Sequence, residues 1–137
     1  MPNETGVGRR RRVGRHRGLS LNTSSGPRGA ERLFGERETL HAPHLLDVEV
    51  TQVMRRYART GQMDTVRGLQ ALQDLDDFPV TRYTHQPFLA RIWQLRNNVT
   101  AHDAAYIALA EALAAPLLTR DAKLASFRGH DTRIELI

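Results

Sequence analysis

The sequence predicts an α/β fold built on a mostly parallel sheet. Apolar residues recur at helical spacing along several stretches, and short runs rich in β-formers separate these stretches. The most apolar helix of the chain, Ala104 to Leu113, leads directly into the apolar run Pro116 to Thr119. Alternating helices and strands are typical of a sheet whose strands run parallel.

The first 27 residues differ in composition from the rest, and we predict that they form a basic, disordered leader. Residues 1–28 hold seven arginines and one acid, whereas the remaining 109 residues hold thirteen Lys or Arg and fourteen Asp or Glu. The net charge of +5 therefore describes a basic leader joined to a nearly neutral domain. Glycines and serines leave the leader little apolar surface to bury. Its arginines are either solvated or in contact with phosphates, and Leu19–Leu21 could form a short strand.

Residues 28–137 are predicted to form the folded domain, and its first half is helical. A first helix follows Pro27. A second begins at Pro43 and ends at Gly61. The apolar face of this second helix consists of Leu46, Val50, Val53, Met54 and Tyr57. A third helix carries apolar residues three apart, from Met63 to Leu75.

The second half alternates between strands and helices. Phe78–Thr84 is rich in β-formers and predicts a short strand. The apolar stripe of a fourth helix follows, and it consists of Phe88, Leu89, Ile92, Trp93 and Leu95. Ala104–Leu113 predicts a buried fifth helix, and Pro116–Thr119 predicts a buried strand. Asp121–Phe127 predicts a short helix, and Arg133–Ile137 predicts the last strand.

The composition excludes several classes of function. The chain has no cysteine, which rules out a disulfide framework, a thiolate zinc site and a cysteine nucleophile. Its longest apolar stretch, Ala101–Leu118, is interrupted by charged residues and a proline, so it does not predict a membrane span. Nothing near Met1 resembles a secretory signal. We therefore expect a cytoplasmic protein with no membrane partner.

Three acids interrupt the apolar patterns and are the candidate site residues. Glu49 lies beside the apolar face of the second helix, Asp103 starts the most apolar helix, and Asp121 follows the buried strand. In parallel sheets, sites form at the carboxyl ends of strands and at the adjoining helix starts. Three converging carboxylates stay ionised only with a cation between them, and oxygen ligands favour Mg²⁺ or Mn²⁺ over zinc. Such a site activates water for attack on a phosphodiester.

Each of these acids also has a purely structural interpretation. Asp103 and Asp121 are suited to helix N-termini, where they accept hydrogen bonds from free backbone N–H groups and face the positive end of the dipole. Glu49, near a helix start, could likewise complement the dipole. Asp47 is predicted to be a capping or solvated acid. The sequence alone leaves both interpretations open.

Four segments together resemble the PIN-domain ribonucleases of the VapC type, the toxins of bacterial type II toxin–antitoxin systems. They are Ala42–Val50, Trp93–Thr100, Asp103–Ala110 and Pro116–Asp121. The acids occur in the family's order: a helix Glu, an Asp before an alanine-rich helix, and an Asp after a Leu-Leu-Thr strand. The resemblance implies a three-layer α/β/α domain.

The same resemblance implies the function and the partners. It implies an endoribonuclease that depends on Mg²⁺ or Mn²⁺, forms a homodimer and is silenced by a cognate VapB-like antitoxin. Glu49, Asp103 and Asp121 would bind the metal and cleave RNA, and Thr119 and Arg120 would be their neighbours.

The beginning of the chain departs from the family pattern. The first strand of the family ends in a metal-binding aspartate, but no aspartate precedes Asp47 here. Leu19–Ser24 echoes the motif, with Asn22 at the place of the acid. We therefore expect the first strand to be missing or altered.

Two further functions stay open on this evidence. A PIN-like domain that has lost catalysis could act as an antitoxin-binding module, and the missing aspartate favours that alternative. A nucleic-acid binder could instead work through the basic run Arg9–Arg17, in which case binding would weaken steeply with salt.

Overall fold

The structure is a computed structural model, and it describes residues 10–14 and 38–137. Its strands are β1 (Arg10–Gly14), β2 (Glu38–Pro43), β3 (Val80–Tyr83), β4 (Leu117–Thr119) and β5 (Ile134–Leu136). Its helices are α1 (Leu45–Arg59), α2 (Thr65–Asp77), α3 (Leu89–Gln94), α4 (Ala101–Ala112) and α5 (Ala122–Ser126), and a 3₁₀ turn at Gln86–Phe88 precedes α3. The helix predicted after Pro27 and the strand predicted at Leu19–Leu21 lie outside the described residues.

The described strands form one sheet in the order β3-β2-β1-β4-β5. Every neighbouring pair is parallel, and β1 lies in the centre, with Val13 opposite both His41 and Leu117. In a parallel sheet, the carboxyl ends of all strands meet at one edge. This carboxyl edge lies at Gly14 of β1, Pro43 of β2 and Thr119 of β4, and the helices that follow β2 and β4 start there.

The strand β1 corrects the prediction for part of the leader. Arg10–Gly14, predicted to be disordered, form the central strand, so the prediction is wrong for these five residues. A strand ladder is made by backbone N–H and C=O groups, which a basic sequence has as well as an apolar one. Neighbours on both sides satisfy those groups here. The central place in the sheet is thus taken by a strand that contains no acid, and the boundary after residue 27 stays a prediction for the rest of the leader.

The strand β2 is a second difference from the predicted elements. Pro43 ends β2 and does not open the following helix, since it pairs with Tyr83 of β3 and the N–H of His44 then donates to the Tyr83 carbonyl. Proline lacks an N–H group, which is least costly at the end of a strand. Because β2 lacks the alternating pattern of a strand, sequence periodicity does not identify it.

Helices α1 and α2 pack through one apolar cluster. Its buried members are Ala42, Leu46, Val50, Met54 and Ala71. The small residues Gly68 and Ala71 are the buried positions of α2, whereas Val66 and Leu69 are 64% and 58% exposed. The apolar stripe predicted for this helix is therefore only partly the packed face. Ala71 packs in the cluster shared with α1, whereas Gly68 lies against Met63 of the connection between the two helices. Gly61 follows α1 with a φ of +72°, which glycine adopts readily.

Helix α4 forms the second core. Every residue from Asp103 to Ala110 is buried, and Tyr106, Ile107 and Leu109 are almost fully enclosed. The helix packs across β1, β2 and β4, so it covers the middle of the sheet. Burial of each large apolar side chain contributes about 1.5–3 kcal/mol. The predicted buried helix and the strand after it are confirmed.

The other predicted elements of the second half are also present, within a few residues of their predicted ends. They are β3, α3, α5 and β5. Of the helices in the described part of the chain, none is both long and apolar enough to cross a bilayer.

Candidate active site

All three predicted acids lie at the carboxyl edge of the sheet. Glu49 is in the second turn of α1, which starts directly after β2, and Asp121 directly follows β4. Asp103 is in the first turn of α4. That turn lies at the same edge, because α4 runs back across the sheet and its far end leads into the start of β4.

A hydrogen bond joins Glu49 to α4. The hydroxyl of Tyr106 donates to Glu49 Oε2 at 2.8 Å, and Tyr106 is fully buried. Tyr106 lies three residues after Asp103, and residues with this spacing are neighbours on one face of a helix. The bond therefore brings Glu49 close to the turn that carries Asp103.

Asp103 is the first buried residue of α4 but is not the residue that caps the helix. Thr100 is the N-cap, and its Oγ1 accepts the N–H of Asp103 at 3.1 Å. The Asp103 side chain is 8% exposed. A carboxylate in the first turn is favoured by the positive end of the helix dipole, which offsets part of the cost of its burial. Thr100 is therefore the N-cap of α4, and Asp103 lies in the first turn of this helix at the carboxyl edge.

Asp121 does cap a helix. It is the N-cap of α5, and its Oδ1 accepts the N–H groups of Lys123 and Leu124 at 2.9 and 3.2 Å. The buried hydroxyl of Thr119 accepts the N–H of Asp121 at 3.0 Å and fixes the turn after β4. Arg120, between them, is exposed. The prediction that Asp121 caps a helix is therefore confirmed. Both capping bonds are accepted by the same oxygen, Oδ1.

The donors suit Mg²⁺ or Mn²⁺ in chemical type, since all are carboxylate oxygens. Within residues 10–14 and 38–137, however, no three His, Asp or Glu side chains are grouped closely enough to hold an ion. Mg²⁺ keeps several waters and is commonly held by one or two carboxylates together with substrate phosphates. Shared metal binding by Glu49, Asp103 and Asp121 therefore stays a prediction.

Comparison with known proteins identifies the family. A PIN domain model matches residues 20–129. Ribonuclease VapC12 of Mycobacterium tuberculosis (strain ATCC 25618 / H37Rv) is 41% identical over 119 residues, which cover 87% of this chain and 91% of that protein. The chain belongs to the PIN-domain family.

Other relatives place this PIN domain in the VapC group. VapC ribonuclease Mb0985 of Mycobacterium bovis is 42% identical over 96 residues, covering 70% of this chain and 76% of that protein. Ribonuclease VapC1 of Mycobacterium tuberculosis is 44% identical over 98 residues, covering 71% and 74%. The predictions of a VapC-type PIN-domain protein and of an α/β PIN-like fold are confirmed.

This PIN domain is unusual in its first strand. The family match begins at residue 20, whereas β1 ends at Gly14. The five residues of β1 contain no acid, so its carboxyl end brings no carboxylate to the edge where the other three acids lie. Asn22, predicted at the place of the missing aspartate, lies outside the described residues.

Sequence reasoning missed Tyr106. The signal for it is a hydroxyl-bearing residue one turn after Asp103 in the most buried helix of the chain, where a polar tip needs a partner. It also missed the partner of Asp47, whose side chain is 40% exposed, as predicted for a solvated acid, but is also paired. Nε of Arg82 donates to both carboxylate oxygens of Asp47, at 2.8 and 3.0 Å, and this pair ties β3 to the start of α1.

Proposed function

We propose that this PIN domain is the toxin of a type II toxin–antitoxin system, an endoribonuclease that cleaves RNA phosphodiester bonds with Mg²⁺ or Mn²⁺. The observation that carries the proposal is the hydrogen bond from Tyr106 to Glu49, because it ties Glu49 to α4, the helix whose first turn carries Asp103. The ribonuclease names of relatives that are 41–44% identical support the same activity.

Each of the three acids at this edge has its own role in the proposal. Asp103 and Glu49 would hold the metal from two different helices, and Asp121 would add its charge from the end of β4. When bound, the metal supplies an activated water and neutralises charge on the phosphodiester. Tyr106 fixes the rotamer of Glu49, and Thr119 fixes the turn that carries Asp121.

RNA cleavage by point variants tests this proposal. Glu49→Gln and Asp103→Asn keep the size of each side chain and remove its charge, so cleavage in Mg²⁺ or Mn²⁺ should fall by about 100-fold or more, as when other electrostatic groups of an active site are removed. Asp74→Asn is the matched control, because Asp74 is an exposed acid of α2 paired only loosely with Arg67, at 3.8 Å. EDTA should stop cleavage by the parent. Equal activity of the parent and Asp103→Asn would refute the assignment.

A partner is part of the proposal. A cognate VapB-like antitoxin would place an arginine of its peptide among the carboxylates, since guanidinium groups make bidentate bonds to carboxylates. Co-purification with the product of an adjacent small gene tests for the antitoxin. Unchanged binding to a chain carrying Asp103→Asn and Asp121→Asn together would place the partner elsewhere. We also propose a homodimer acting in the cytoplasm, which light scattering and fractionation would test.

A catalytically impaired, antitoxin-binding PIN domain is the second candidate. The acid-free sequence of β1 favours it, together with the lack of a closed three-residue metal group in the described part of the chain. This candidate predicts antitoxin binding without metal-dependent cleavage. The two candidates therefore separate in the same cleavage assay.

A further inference from the structure

The only tryptophan of the chain is exposed and stacked on an arginine. Trp93, in α3, is 67% exposed. The guanidinium of Arg96 lies 4.6 Å from the centroid of its ring, and Arg96 Nη1 also donates to the Trp93 carbonyl at 3.0 Å. Both side chains are therefore held as a pair, with the ring largely open to solvent.

This pair lies on the segment that leads into Asp103. The turn after α3 ends at Thr100, which caps α4 and accepts the N–H of Asp103. The Trp93–Arg96 pair thus belongs to the same short connection as the buried acid at the carboxyl edge. A strand of nucleic acid that follows this connection away from Asp103 would meet the pair.

The segment of chain that carries the pair exposes mostly polar side chains and contains no acid. No Asp or Glu occurs between residues 92 and 102. The exposed neighbours are residues with amide, hydroxyl or imidazole groups, namely Gln94, Asn97, Asn98, Thr100 and His102. Leu89 is the other large apolar residue exposed on α3, at 58%. One ring and one leucine are a small apolar area compared with the roughly 800 Å² that each partner buries in a stable protein interface.

We propose that Trp93 and Arg96 form a stacking platform for a base of single-stranded RNA; this rests on the proposed function. Unpaired bases stack on aromatic rings and on arginine planes, and an adjacent cation attracts the phosphate backbone. The amide side chains of Asn97 and Asn98 can then bond to the edges of the stacked base. The platform binds substrate and does not take part in the chemistry.

The fluorescence of the single tryptophan tests the platform directly. With metal removed by EDTA, a short single-stranded RNA should quench Trp93 fluorescence, whereas a strand of the same length without bases should not. With labelled RNA, Trp93→Ala should weaken binding roughly 5- to 150-fold, the range expected for loss of one stacked base. Trp93→Phe should restore most of the affinity. Leu89→Ala and Arg59→Ala are matched controls for exposed apolar area and for charge, and both should bind as the parent does.

Each outcome separates the platform from the proposed function. Quenching that depends on the bases, with weak binding by Trp93→Ala, supports the platform even if the parent fails to cleave RNA in Mg²⁺. Cleavage by the parent without any quenching overturns the platform and leaves the proposed function standing. Dissociation of a dimer by both Trp93→Ala and Leu89→Ala, with RNA affinity unchanged, would overturn it as well and assign the surface to a second copy of the chain.

Discussion

Asp121 caps α5 and is also proposed to act on RNA, and two substitutions separate these roles. Asparagine caps helices as well as aspartate does, so Asp121→Asn should change the free energy of unfolding by less than about 0.5 kcal/mol. The Asp121→Asn variant should nonetheless lose metal-dependent cleavage, because the substitution removes the charge. Asp121→Ala removes the cap too and should cost about 1 kcal/mol in urea unfolding. If Asp121→Asn cleaves RNA as fast as the parent, the residue is only a cap.

Tyr106 is a positioning residue for Glu49, and the loss of its hydroxyl isolates that role. A hydrogen bond to a charged group contributes about 1.5–3 kcal/mol, so Tyr106→Phe should lower the affinity for Mn²⁺ and the cleavage rate by about 10-fold or more. Mn²⁺ affinity is measured by electron paramagnetic resonance, without turnover. Tyr57→Phe, two turns beyond Glu49 in α1, is the matched control. An unchanged Mn²⁺ affinity in Tyr106→Phe would show that the hydroxyl only fills the core.

At the scale of elements, Glu111 of α4 links the turn before β5 to α3. Arg91 of α3 donates to both oxygens of Glu111, at 2.8 and 2.9 Å, and the N–H of Asp131 donates to Oε1 at 3.1 Å. The hydrogen bonds from Arg91 are the main reason that the pKa of Glu111 is lowered from 4.5, followed by burial, which opposes them. The same bonds raise the pKa of Arg91.

This lowered pKa makes the stability of the domain depend on pH in a defined direction. The stabilisation is fully present above the unfolded pKa of Glu111 and is lost as the pH falls through the lower, folded value. Glu111→Gln should cost about 1–2 kcal/mol at neutral pH and should make the acid limb of the stability curve less steep. Urea unfolding between neutral and acid pH measures both effects. Asp74→Asn, in an exposed pair, should follow the parent curve, and an equally steep acid limb in Glu111→Gln would contradict the account.

The strand β1 is held by its backbone, and a proline tests this. Proline removes one N–H group from a central strand, so Val13→Pro should lower the free energy of unfolding by about 1–3 kcal/mol. Val7→Pro, in the predicted leader, is the control and should have little effect. Equal stability of the two variants would mean that the sheet does not need β1.

These elements show how far sequence reasoning reaches. Helix α4 and strand β4 are predictable, because buried apolar runs of their lengths have few other structures. Strands β1 and β2 are not, because their ladders are set by neighbouring backbones while their sequences are basic or end in proline. The packed face of α2 is not predictable for a related reason. Gly68 and Ala71 are buried there because they are small, and hydropathy gives them little weight.

At the scale of the whole molecule, the candidate site depends on the parallel sheet. Glu49, Asp103 and Asp121 are 54 and 18 residues apart, and they share an edge only because α1, α4 and β4 all have an end there. Their order along the chain made them predictable as a family pattern. The cap made by Asp121 was predictable, because it is local, whereas the bond of Glu49 to Tyr106 was not, because it depends on the packing of α1 against α4.

The most direct test of the account restores an acid to the end of β1. Successive strand residues face opposite sides, so Val13→Asp and Gly14→Asp, the last two positions of β1, are made separately, each with and without Asp103→Asn, and RNA cleavage is measured in Mg²⁺ and Mn²⁺. We predict slow, metal-dependent cleavage by the parent, faster cleavage by one of the two aspartate variants, and loss of both activities with Asp103→Asn. Two results would contradict the account. One is cleavage that persists at the parent rate with Asp103→Asn, and the other is the absence of cleavage from the parent and from both aspartate variants.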